Sequence, residues 1–487
     1  MKAPEYKKYE DGVDYLKCKI IVWDQADNSK IDTSDPLVDK CLTFRECVNI
    51  EIDESYKKLI GTAKVTFARG MVVKTFSDKE EKDTKVYAER MADGAIAERR
   101  HGASLLKPSQ FQVGNRIRIY LGYYKDTGVH INKGSVQEFD DEEVFNTNIP
   151  DFDGFITKVS ASSPVELTCE NLAYFLKRKN CPNIKTGLHA TVNDFLASDG
   201  KYKLLNGTGL ELDDDTKNCN IDIGQAVISN ELTVADVLTE WAKNKLYCFV
   251  RYNQDGVPKL KVGRSYFSTK TKESIVNDNG CSDIPVIQFD YHVANDGLKA
   301  INTDPKKLAV SAEGFQFKNG KEVKLSITLT LNPDWKGSSD TEHKKFKVYS
   351  QVRLSKKSMK FAVISKETTQ SKNLSDYTII PYTSSKIGIT EEGLIKEAEA
   401  YFEGYNMNGI EGELTIFGDM HNTNLGRSHI QSGMKVGLYD KRCPEKNGWY
   451  LVEEVHTTFG ANGFRQRLKL PYCIAKPENN ETKSTAK

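Results

Sequence analysis

Hydrophobic and polar residues alternate with period two at both ends of the chain. Ile117, Ile119 and Leu121 share one strand face, with Arg116, Arg118 and Tyr120 on the other. Val165, Leu167 and Cys169 repeat the pattern opposite Glu166 and Thr168. Leu468 and Leu470 do so opposite Arg465, Arg467 and Lys469. One apolar face and one charged face predict barrel walls with a wet outer surface. Asn-Gly and Asp-Gly steps recur from Asp11-Gly12 to Asn462-Gly463. They supply the positive φ angles of tight hairpins and argue for a strand-rich chain.

The pattern is written twice. The first copy reads QVGNRIRIYLG (112–122), DFDGFITKVS (151–160) and PVELTCENLAYFLK (164–177). The second reads QSGMKVGLYDK (431–441), NGWYLVEEVHTTF (447–459) and GFRQRLKLP (463–471). Each is a glycine, an alternating strand, a loop, an aromatic-rich strand and a third alternating strand. That is a β-meander, with Gly114, Gly154, Gly433 and Gly448 as its structural turn glycines.

Helical spacing is confined to the stretches between. Thr191-Val-Asn-Asp194 and Thr233-Val-Ala-Asp236 fit the capping box. Val234, Val237, Leu238, Trp241, Ala242 and Leu246 make an amphipathic stripe after the second. A further helix is predicted over 391–405. Glu391 and Glu392 sit at its positive end, and Leu394, Ala398, Tyr401, Phe402 and Tyr405 form its apolar stripe. The predicted fold class is mainly β with α+β insertions: two similar β-barrel domains joined by a mixed helical region. The first barrel spans 13–165, with a charged insertion at 78–100. A connecting domain spans 166–285. The second barrel spans 286–475 and includes the 391–405 helix, and 476–487 form a flexible tail. In the insertion, Lys79, Lys82, Arg90, Arg99 and Arg100 are candidate partner contacts, since a charged insertion is free to order on binding.

Composition narrows the function. A chain of 487 residues exceeds one core of roughly 250–300 residues. The net charge of +1 gives no basic footprint for nucleic acid. No run of about 18 apolar residues is present, so no membrane span is expected. The first residues, MKAPEYKKYED, lack the apolar stretch of a secretory signal. The ten cysteines contain no CxxC pair and read as reduced, mostly buried thiols. Asp213-Asp214-Asp215 fails the calcium-loop pattern and reads as a solvated turn. His421, His429 and His456 fall close in sequence but lack metal-ligand spacing. No phosphate loop, GxGxxG or GxSxG is present. No catalytic residue, cofactor or metal site is therefore assigned, and the chain reads as a non-enzyme.

The repeated meander with its helices resembles the late-control, gpD-like baseplate hub family of phage tails and contractile injection systems. The resemblance is carried by Phe111-Gln-Val-Gly114 before RIRIYLGY and by DFDGFITKVSASSPVELTCENLAYFLK. It continues in LTVADVLTEWAKNKLYCFVRY, in DGLKAINTDPKKLAVSAEG (296–314), in the segment from Glu391 to Asp440 and in NGWYLVEEVHTTFGANGFRQRLKLP. Residues 78–100 and 315–380 fall outside it. The resemblance implies a homotrimer whose six barrels form a pseudo-sixfold ring, adapting a hexameric tail tube to a trimeric spike. The implied partners are the chain itself, tail tube protein, spike protein and other baseplate subunits. The implied location is the virion tail, or an injection particle, assembled in the bacterial cytoplasm. Two other readings stand beside it. One is the N-terminal hub part of a type VI secretion spike, and the other a tail-associated cell-wall hydrolase.

Overall fold

The computed structural model describes residues 13–24, 41–75, 86–90, 104–126, 145, 149–243, 245–253, 256–264, 285–301, 305–318, 321–331, 346–353, 361–362, 376–405, 409–418, 420–422, 426–428, 430–471 and 473–475. The first ten strands are β1 Val13–Trp23, β2 Cys41–Phe44, β3 Asn49–Ser55, β4 Thr62–Thr66, β5 Met71–Thr75, β6 Val86–Arg90, β7 Ser104–Leu105, β8 Arg116–Asp126, β9 Phe152–Val159 and β10 Glu166–Asn171. Helix α1, Val234–Lys243, precedes the hairpin β11 Leu246–Tyr252 and β12 Pro258–Arg264. There follow β13 Val286–Gln288, β14 Val293–Ile301, β15 Leu308–Lys318, β16 Lys321–Leu331, β17 Phe346–Arg353 and β18 Thr378–Ile387. Helix α2, Glu391–Tyr405, leads to β19 Gly409–Phe417, β20 Lys435–Tyr439, β21 Gly448–Leu451, β22 Glu454–Gly460, β23 Gly463–Leu470 and β24 Cys473–Ala475.

The fold is mainly β with α+β insertions. Both chain ends enter one fourteen-stranded sheet, in the order β14-β19-β23-β22-β3-β4-β10-β9-β8-β1-β2-β6-β5-β7. The two strand-rich ends are thus stitched into one sheet, at β22 and β3. A separate four-stranded sheet, β13-β20-β21-β24, holds strands Lys435–Tyr439 and Gly448–Leu451. The alternation fixes which faces are buried: Ile117, Ile119, Leu167, Cys169, Leu468 and Leu470 all lie in apolar cores.

Three features differ from the sequence reading. The charged face of β8 is not wet: Arg116 is fully buried, and Arg118 and Tyr120 nearly so. Alternation reports two chemistries on two faces, but not which face a neighbouring loop covers. Part of the charged insertion is a strand. β6 runs parallel to β2 and antiparallel to β5. Arg90 ends that strand, whereas Lys79, Lys82, Arg99 and Arg100 lie outside the described residues. The aspartate run is not a turn but a helix start: the Asp213 carboxylate accepts from Thr216 N at 3.3 Å, capping Asp214–Cys219.

The middle region has its own core, in which α1 buries Val234, Ala235, Val237 and Leu238 among Leu172, Phe195, Leu246 and Leu260. Both capping boxes form. Thr191 N and Thr233 N donate to the carboxylates of Asp194 and Asp236 at 2.8 and 2.9 Å. Residues 308–402 hold a further core, where α2 lays Leu394, Ala398 and Phe402 on the sheet β18-β15-β16-β17.

Candidate assembly surface

The two meanders share register as well as sequence. In the first, Gly114 N donates to Ile156 O (2.8 Å), Ile156 N to Asn115 O (2.9 Å) and Asn115 N to Gln112 O (3.1 Å). In the second, Gly433 N donates to Val452 O (2.8 Å), Val452 N to Met434 O (2.9 Å) and Met434 N to Gln431 O (3.3 Å). Gly114 and Gly433 have φ of +98° and +79°, a region that favours glycine. Strand pairing continues in step. Ile117 faces Gly154 as Val436 faces Tyr450, and Thr168 faces Lys158 as Lys469 faces Glu454. β8, β9, β10, β4 and β3 therefore correspond to β20, β21 with β22, β23, β19 and β14. Gly154 lies inside β9 rather than at a turn, whereas Gly448 opens β21 directly after the turn at Pro444–Lys446. At Gly154 a Cβ would collide with the Glu170 carbonyl, so that glycine permits close strand approach.

The copies meet edge to edge. β3 and β22 pair antiparallel from Asn49–Gly460 to Ser55–Glu454. Across this junction His456 Nδ1 lies 2.6 Å from Asp53 Oδ1. Buried Glu453 receives Lys57 at 2.5 Å and Lys469 at 2.8 Å. The hairpin β22–β23 also lends Phe459 and Phe464 to the first copy's core, where Tyr123 Oη donates to Phe464 O at 3.0 Å. His456, singled out by sequence as a weak metal candidate, is a junction residue. The partner that places it, Asp53, lies about 400 residues away, and no local spacing signals it. His421 is on a short strand and His429 lies outside the described residues.

Behind β8 the first copy carries a buried ionic cluster. Arg116 holds Asp153 through two hydrogen bonds, Nε–Oδ1 at 2.6 Å and Nη2–Oδ2 at 2.9 Å. Arg118 Nε adds a third at 3.1 Å. The Trp23 ring lies 5.6 Å from the Arg116 guanidinium and 5.4 Å from that of Arg118. Burial opposes ionisation of Asp153, but the two guanidinium groups hold its carboxyl below the usual range. A narrow cleft beside it is lined by Glu54, Asp151, Asp153, Asn171, Tyr252 and Gln431, where the two copies and the middle region meet. Burial there pushes the Glu54 carboxyl up to about 7.

Among the described residues, no group of three His, Cys, Asp or Glu side chains could hold a metal ion. No helix among them is long and apolar enough to cross a membrane. Cys18, Cys169, Cys181 and Cys248 are buried thiols.

No family model matches the chain, and no curated protein matches it. Among solved structures, the chain is similar to the tail protein from Neisseria meningitidis MC58, at 11% identity over 95% of this chain and 99% of that one, with a TM-score of 0.46. It is also similar to the 43 kDa tail protein of prophage MuSo2 from Shewanella oneidensis, at 8% identity, the same two coverages and a TM-score of 0.45. A third similarity is to the half-lidded Francisella PdpA-VgrG complex, at 11% identity over 95% of this chain and 59% of that one, with a TM-score of 0.43.

Proposed function

We propose that the chain is a structural hub of a phage tail or related injection apparatus, and that three copies form a ring of six like lobes. The observation that carries this reading is the duplication. Two meanders share the same hydrogen-bond register, and their copies are joined edge to edge through β3 and β22. A threefold ring of such chains presents six near-equivalent faces, the arrangement needed between a sixfold tube and a threefold spike. Its partners are then tube protein on one side, spike protein on the other, and further baseplate subunits around it. The role is mechanical, so it calls for no nucleophile, metal or cofactor. The charged flanks of β6, with Lys79, Lys82, Arg99 and Arg100, serve as contacts to neighbouring subunits.

Native mass spectrometry tests the ring directly. A particle of three 54.8 kDa chains is expected. A chain that stays single, or assembles in another number, refutes it. Reversing the charges at Lys79, Lys82, Arg99 and Arg100 is expected to preserve that mass and abolish tail assembly. Normal tails would remove the contact role.

A further inference from the structure

The two copies do not end alike. The outer edge of β3 is occupied by β22 over seven register pairs. The matching strand is β14. Val65 and Leu414 hold the same place on β4 and β19, and face Ile50 and Asp296. By the same count Leu298 stands where Ile52 does, and Lys299 where Asp53 does. Yet β14 terminates the fourteen-stranded sheet. Its nine residues pair only with β19 among the described residues, and Ala294, Asn295, Asp296, Gly297 and Lys299 are exposed. A long open edge of this kind is a template for another strand.

The complementary vacancy lies on β9. Lys158 faces Thr168 as Glu454 faces Lys469, so residues 158–160 stand where 454–456 do. In the second copy β3 covers that stretch. In the first, β8 pairs with β9 only as far as Phe155, and no described strand lies beside 158–160 on that side. Among the described residues, one chain thus carries one completed junction and both halves of an incomplete one.

We propose that β14 of one chain pairs antiparallel with the 158–160 edge of a second copy of this chain. The register of the completed junction places Ile301 opposite Lys158, Ala300 opposite Val159 and Lys299 opposite Ser160. Where the internal junction sets His456 against Asp53, the new one sets a serine hydroxyl against a lysine, with no like charges opposed. The contact joins two different surfaces, so repetition closes into a ring or continues as a filament. Closure at three rests on the function proposed above, whereas the pairing does not.

Paired cysteines read the register. The variant Ser160→Cys/Lys299→Cys, mildly oxidised, is expected to give covalent dimers and trimers on denaturing gels. Each single variant, and the out-of-register Ser160→Cys/Asn295→Cys, is expected to match the unmodified chain. Native mass is measured on the same samples. Three-copy particles without the in-register ladder overturn the strand pairing and leave the ring. An in-register ladder in open filaments supports the pairing and refutes the ring. A single-chain mass without a ladder overturns both.

Discussion

Removing Asp153 tests whether the ionic cluster behind β8 holds the first lobe together. The Arg116 and Asp153 side chains are 0% and 2% exposed, and that of Arg118 is 8% exposed. With the carboxylate present the trio carries one net positive charge; without it, two guanidinium groups face each other out of water. Breaking a buried pair from one side costs about 3–5 kcal/mol, because the remaining charge keeps its desolvation penalty. Asp153→Ala is therefore expected to cost about that much. Arg118→Met leaves the two-bonded Arg116–Asp153 pair and should cost less, about 1–3 kcal/mol. The triple replacement Arg116→Met/Asp153→Leu/Arg118→Met should fall far short of the sum of the single costs, since no charge is left stranded. Urea unfolding followed by tryptophan fluorescence reads all three, because Trp23 packs on both guanidinium groups. The pH dependence has a definite sign. A depressed carboxyl contributes stability above its unfolded value near 3.8, which is lost as pH falls through the lower folded value. The advantage of the native chain over Asp153→Asn should therefore shrink in acid below about pH 4. A cost under about 1 kcal/mol for Asp153→Ala, or a triple variant as unstable as the sum, would refute the reasoning.

Three further outcomes are expected. Glu54 binds its proton more tightly folded than unfolded, so stability falls as pH rises from 4.5 to about 7. Glu54→Gln should flatten that slope and add about 2–3 kcal/mol at pH 8, read by denaturant midpoints across pH. Phe464→Ala should cost about 3–5 kcal/mol and speed amide exchange in β3 as well as in its own hairpin, since the ring lies in the first copy's core. Burial pushes the Cys169 and Cys248 thiols up, so alkylation followed by peptide mass should leave both unlabelled until the chain unfolds.

The meanders and helices were legible because their signals are local. Period-two alternation with a glycine marks each strand entry, and Thr-x-x-Asp boxes mark two helix starts. The long helix fell on 391–405 because its first-turn acids and apolar stripe agree. The junction was not legible. Nothing near Asn49–Ser55 says that its neighbour lies at Glu454–Gly460, because edge pairing uses backbone groups that every residue has. The burial of Arg116 and Arg118 was missed for a related reason: a charged face reads as solvated until a carboxylate is placed beside it on the neighbouring strand. Within residues 315–380, where the family resemblance gave no guide, β16 and β17 extend the sheet that β15 and β18 form under α2.

The pairing of β3 with β22 also sets a clock on biosynthesis. Strand 49–55 waits for a segment roughly 400 residues downstream. At about 5–20 residues per second that is about 20–80 s of translation with its edge uncovered and two core phenylalanines missing. A prematurely terminated product lacking those last strands would carry an unfinished first lobe, its strand edge open to proteases.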